Sequence, residues 1–122
     1  MLKQLSIYAE NKKGALQTMT NALYEAGINI WGSVTNDGAE YGINRMVVSD
    51  PDKAKEVLTE KGYLCRFVDV LAVEIEDKPG ALNTLLTALL DSNVNVDYTY
   101  LSFNRDSSTP VMILHTADPE EV

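Results

Sequence analysis

At 122 residues, 45% apolar and 23% charged, the chain has the make-up of a soluble globular protein, enough for one ordinary domain or two very small ones. Ten basic residues against 18 acidic ones leave a net charge of −8, which excludes a phosphate-tracking nucleic-acid surface. One cysteine, Cys65, excludes a disulfide framework, and no apolar run is long enough to span a bilayer.

Residues 2–9 alternate apolar and polar well enough for a half-buried strand. Residues 13–26 place Ala15, Leu16, Met19, Ala22, Leu23 and Ala26 on one helical face, and Gly27 ends that helix. "INIWGSVT" (28–35) is a second strand, "NDGAE" (36–40) a hairpin turn, and "YGINRMVV" (41–48) the answering strand. Asp50 caps a second helix with Pro51 in its first turn. Its apolar stripe is Ala54, Val57 and Leu58, and Gly62 stops it. "YLCRFVDV" (63–70) is a fourth strand and "LAVEIED" (71–77) a further one. A helix over 79–92 carries Leu82, Leu85, Leu86, Leu89 and Leu90. Strands over 94–103 and 110–116 follow, and Asp118-Pro119 signals another helix cap before the chain stops at Val122.

The second half of this series repeats the first. Residues 7–30 laid on 73–96 without a gap give nine identities in 24 positions, including Glu10/Glu76, Lys12/Lys78, Gly14-Ala15-Leu16/Gly80-Ala81-Leu82, Thr18/Thr84 and Asn29/Asn95. After a two-residue slip the match returns at Asp50-Pro51 and Asp118-Pro119. This is a tandem duplication. Strand, helix, strand, strand, helix, strand is a split βαβ, so the expected fold class is α+β: two tandem ferredoxin-like (βαββαβ) units, residues 1–69 and 70–122. The second is expected to lack its last helix and strand, which leaves an open sheet edge and an apolar face for a partner chain to cover.

The duplicated element is a loop leading from a strand into a helix N-terminus, where unpaired N–H groups attract carboxylates and phosphates. Gly14 and Gly80 allow close approach, Asn11 can donate and accept, and Asp77 can pair with an ammonium group. Asn29 and Asn95, just after the helices, lie about a helix length from the loop of their own unit. They can share a ligand with a loop only if two units pair. The plainer alternatives are a glycine serving turn geometry, Asn or Asp forming turns, and boundary asparagines.

"ENKKGALQTMTNALYEAGINI" and, more closely, "EDKPGALNTLLTALLDSNVNV" resemble the signature of the ACT domain family: a strand, a short acidic or Asn-containing loop, x-P-G-x-L, an amphipathic helix and a Gly-Val/Ile-Asn-Ile exit. The resemblance covers nearly the whole chain. It implies a non-catalytic, ligand-sensing regulatory module of amino-acid metabolism, with a free amino acid as effector held at the interface between two ACT units. A homodimer and a partner enzyme of amino-acid metabolism follow from it, with no cofactor, nucleic acid or membrane. The resemblance carries over Asn11, Gly14 and Asn29 as ligand-binding residues in the first unit and Asp77, Gly80 and Asn95 in the second, and the helix-start loops around 12–15 and 78–81 add Lys12, Lys13 and Ala15, and Lys78, Pro79 and Ala81. Serine-sensing members have His-x-Asn-x-Pro-Gly in this loop. Here the His position holds Ala9 and Ile75, and the Pro of the first loop is Lys13. With Tyr8 and Trp31 nearby in sequence, that favours an apolar side chain on the effector.

Nothing in the sequence assembles a catalytic or metal-binding set. His115 and Cys65 each lie in a strand pattern and read as packed residues, and no P-loop, dinucleotide fingerprint or calcium loop is present. The N-terminus lacks a signal-peptide core, so the cytoplasm is the expected compartment. The rival functions are a protein-interaction module in which the repeat is purely structural, and a small enzyme or metal-binding protein on the same fold.

Overall fold

The computed structural model describes residues 2–10, 12–36, 41–103 and 109–116. Two compact units are present, one of Lys3–Val68 and one formed mainly from Asp69 onward. The first contains β1 (Leu2–Glu10), α1 (Ala15–Glu25), β2 (Ile30–Asn36), β3 (Tyr41–Val48), α2 (Pro51–Glu60) and the first part of β4 (Leu64–Glu74). Its strand order is β2-β3-β1-β4, the split βαβ arrangement expected from the element series. The second unit contains the rest of β4, then α3 (Ala81–Asp91), β5 (Val96–Ser102) and β6 (Val111–Thr116), in the order β4-β6-β5. The pairings β1–β3, β2–β3, β4–β6 and β5–β6 are antiparallel, so the class is α+β. The Asp118-Pro119 signal lies outside the described residues.

Residues 63–70 run straight into 71–77 with no linker, and Leu64–Glu74 is accordingly a single strand. The segment LCRFVDVLAVE contains no Gly, Pro or Asn with which to turn, so the β-branched run simply continues.

Local signals explain the helices. The Lys53 N–H donates to the Asp50 carboxylate at 3.1 Å and Pro51 opens α2. The three helices of the described residues each end in a six-to-one bond: Ile28 N–H to Leu23, Tyr63 N–H to Leu58 and Val94 N–H to Leu89, at 3.0, 3.0 and 2.9 Å. The residue at the left-handed position is Gly27, Gly62 or Asn93, Asn being the side chain best tolerated there. Leu5, Ile7 and Met46 of the sheet meet Met19 and Leu23 of α1 and Ala54 and Leu58 of α2 in one buried cluster. The duplication reaches into detail: both hairpin sheets carry a register shift at the matching place, between Ile30 and Gly32 and between Val96 and Tyr98.

Candidate functional site

Both β–α loops are built by the same bonds. Lys12 N–H donates to the Glu10 carbonyl, and Lys78 N–H to that of Glu76, each at 3.0 Å. Ala15 N–H then reaches the Lys12 carbonyl at 3.2 Å, and Ala81 N–H that of Lys78 at 3.3 Å. Gly14 (φ 83°) and Gly80 (φ 85°) take the left-handed conformation at the helix start. Their carbonyls accept the hydroxyls of Thr18 and Thr84 at 3.0 Å, which accounts for the repeated threonine. Lys12 pairs with Glu10 at 3.5 Å and Lys78 with Glu76 at 2.8 Å, both exposed.

The N-termini of α1 and α3 have no side-chain cap and no acidic residue in the first turn, whereas α2 has Asp50 as cap and Asp52 inside it. A residue that would satisfy the first N–H groups and offset the helix dipole is present on one helix and missing from the other two. The plainer reading of the glycines is correct for their backbone: a Cβ at Gly14 or Gly80 would meet nothing within 4 Å, so φ rather than crowding requires glycine.

A cavity lies against each loop. In the first unit a space of about 300 Å³ is bounded by Ala9, Gly14, Ala15 and Leu16 on one side and by Thr35, Gly42 and Asn44 of the β2–β3 hairpin on the other. A wider cleft of about 740 Å³ shares the loop residues Lys12, Lys13 and Gly14 and is completed by Tyr8 and by Lys61, Gly62 and Tyr63 after α2. In the second unit a space of about 360 Å³ is bounded by Ile75, Asp77, Lys78, Gly80 and Ala81 and by Leu101, Pro110 and Met112 of the β5–β6 hairpin.

Of the residues expected at the site, Lys12, Lys13, Gly14 and Ala15 come together in the first unit, and Asp77, Lys78, Gly80 and Ala81 in the second. Pro79 does not line the second cavity, and Asn11 lies outside the described residues. Asn29 and Asn95 line none of the three spaces. The Asn29 N–H donates to the Ser49 hydroxyl and its carbonyl accepts from the Ser49 N–H, both at 2.9 Å, while Asn95 donates to the Asp97 carboxylate at 3.0 Å. Trp31 is also absent from the cavity walls, whereas Tyr8 lines the wider cleft.

Leu16, Thr35 and Asn44, and their counterparts Leu82, Leu101 and Met112, also line the cavities and were not among the expected residues. Leu16 shares the apolar face of α1 but is 48% exposed and lines the first cavity. Asn44 is only 4% exposed and lies on the sheet face that carries Met46 and Val48. Its amide donates to Thr35 Oγ1 at 2.7 Å and to Ser33 Oγ at 3.1 Å. Asparagine at the place where strand alternation calls for an apolar residue was the available signal.

The reactive side chains are engaged elsewhere. His115 Nδ1 is 2.9 Å from Asp97 Oδ2, and its ring stacks on Tyr98 with centroids 4.9 Å apart. Cys65 is buried, and loss of solvation pushes its thiol up despite the opposing charge of Lys55 and a hydrogen bond with Thr59. Among the described residues, no three His, Cys, Asp or Glu side chains converge to hold a metal, and no helix is long and apolar enough to cross a membrane.

A family model described as an ACT domain pair matches residues 1–122. The crystal structure of protein BT0572 from Bacteroides thetaiotaomicron superposes with a TM-score of 0.89 at 32% identity, covering 98% of this chain and 82% of that one. The ligand-free regulatory subunit of aspartate kinase from Thermus thermophilus gives a TM-score of 0.69 at 13% identity, covering 94% and 83%. The corresponding subunit from Thermus flavus gives 0.60 at 17%, covering 93% and 83%. At those identities the two kinase subunits share the fold. No curated protein matches the sequence.

Proposed function

The chain belongs to the ACT domain-pair family, and from that membership we propose that it is a non-catalytic regulatory protein binding a free amino acid at its β–α loops. The observation that carries the reading is the same uncapped, acid-free helix N-terminus behind a left-handed glycine, facing a cavity, in both units. Of the N–H groups around residues 12–15 and 78–81, those of Lys13 and Gly14 in the first loop and of Gly80 in the second are the ones that the loop bonds of the described residues do not take up, and they meet the ligand carboxylate. Its ammonium meets Asn11 or Asp77. The apolar wall of Ile75, Leu101 and Met112 favours an apolar side chain in the second cavity.

Asn29 and Asn95 lie beyond the far ends of α1 and α3, about 16 Å along an 11-residue helix from the loops. They reach a ligand only when a facing ACT unit supplies them, and a homodimer would do so. The units of the proposal are residues 1–69 and 70–122, the second short of a last helix and strand. A partner enzyme of amino-acid metabolism in the cytoplasm would read the ligand-dependent change.

Thermal unfolding against all twenty amino acids at millimolar concentration tests the reading. Ligand at 100 times its dissociation constant adds about 2.7 kcal/mol, a shift of several degrees for a chain of this size. No shift with any of them would favour the second reading, a protein-interaction module. That reading draws on the exposed apolar side chains of Leu90 and Phe103.

A further inference from the structure

We infer that the two loop cavities select different side chains: the first takes an amino acid whose side chain accepts a hydrogen bond, the second an apolar one, with Thr35 and Asn44 against Leu101 and Met112 as the determinants. The inference rests on the amino-acid-binding reading and adds which ligand each copy holds. Both hairpin walls are aligned by strand pairing. Thr35 lies opposite Asn44 in β2–β3, and Leu101 opposite Met112 in β5–β6. Thr35 and Leu101 differ by the 66-residue repeat, and Asn44 and Met112 by the same repeat plus its two-residue slip. The wall is therefore the same place in the two copies, polar in one and apolar in the other.

The hydrogen bonding gives the first wall a direction. The Asn44 amide donates to Thr35 Oγ1 at 2.7 Å, so it occupies a lone pair of that hydroxyl. The Thr35 proton must then point away from the amide. Thr35 is exposed and borders the cavity, so its hydroxyl is set to donate to a bound side chain. Asn44 is buried and fixed by Ser33 as well, which holds the threonine oriented before any ligand arrives. A hydroxyl or carboxamide oxygen satisfies that donor, whereas an aliphatic side chain leaves it desolvated and unpaired. In the second cavity the matching wall of Leu101 and Met112 offers no such donor, so a polar side chain laid against that wall finds no partner on it.

The test is calorimetric titration of the full chain and of Thr35→Val with serine, asparagine and glutamine, and separately with leucine and methionine. Thr35→Val removes one hydroxyl from an exposed side chain and takes an acceptor from the buried Asn44 amide, which keeps Ser33 Oγ as a partner, so the thermal midpoint of the variant is recorded beside the titration. We expect roughly fivefold to tenfold weaker binding of the polar ligand that the parent chain prefers, with the apolar ligand unchanged. The reciprocal double variant Leu101→Thr, Met112→Asn should lose the apolar ligand and keep the polar one. If amino acids bind but Thr35→Val leaves the polar ligand's affinity as it was, the selectivity assignment is overturned and the binding function stands. If no amino acid binds the parent chain, both are overturned.

Discussion

At the scale of single residues, Gly14 and Gly80 separate the demands of structure from those of binding. Both have φ near +84°, and in both places a side chain would find open space. Gly14→Ala or Gly80→Ala should therefore cost only the strain of a left-handed alanine, about 1–2 kcal/mol each. Urea denaturation would show this as a lower midpoint at unchanged slope. A variant as stable as the parent would mean that the loop escapes the left-handed conformation without penalty. Gly42 is a different case, since a Cβ there would sit 3.2 Å from the Asn36 carbonyl oxygen. The loop glycines were legible as a pair because the repeat aligns them without a gap. The hairpin wall was not, because Thr35/Leu101 and Asn44/Met112 are mismatches, and aligning the second pair needs the two-residue slip. What the copies share pointed to the loop; what they do not share forms the wall that distinguishes the cavities.

At the scale of elements, the helices divide by how their first turn is closed. Asp50 closes α2 with its own carboxylate, so Asp50→Ala should destabilise the protein by about 1 kcal/mol. Thermal unfolding would register this as a fall of a few degrees, and no fall would mean that water replaces the cap without cost. The bases of α1 and α3 are closed by backbone geometry alone, which leaves donors for a ligand. Asp50 and Pro51 were readable in the sequence because capping is local chemistry between near neighbours. The fate of Leu16 and Leu90 was not. Both belong to apolar helical stripes, yet Leu16 is 48% exposed and Leu90 is 74% exposed. Periodicity tells which residues share a face, whereas burial depends on what a tertiary neighbour covers. The join within β4 carries no Gly, Pro or Asn, so a repeat boundary in sequence is not a break in the strand. Packing around Phe67 is likewise invisible to periodicity: Lys3 and Lys55, distant in sequence, lie over its ring at 4.8 and 4.7 Å.

At the scale of the whole molecule, the two copies of the motif carry unequal shares of the apolar core. In the first unit α1 buries Met19, Ala22 and Leu23, and α2 adds Ala54 and Leu58 to the same cluster. In the second, α3 buries Leu89 alone, and Ala88, in the place of Ala22, is exposed. No helix stands in the place of α2 among the described residues of that unit. Local opening is governed by how much buried apolar contact must be broken. The amides of α3 should therefore exchange through a lower-energy opening than those of α1, with protection at least about tenfold smaller. Native-state hydrogen exchange at high dilution measures this directly. Repeating it at rising protein concentration adds a second reading. If a second copy covers the apolar side of α3, protection there will climb with concentration while that of α1 stays level, because association stabilises only what it buries. Equal protection of the two helices at the lowest concentration would mean that the stability of the second unit does not come from its own core.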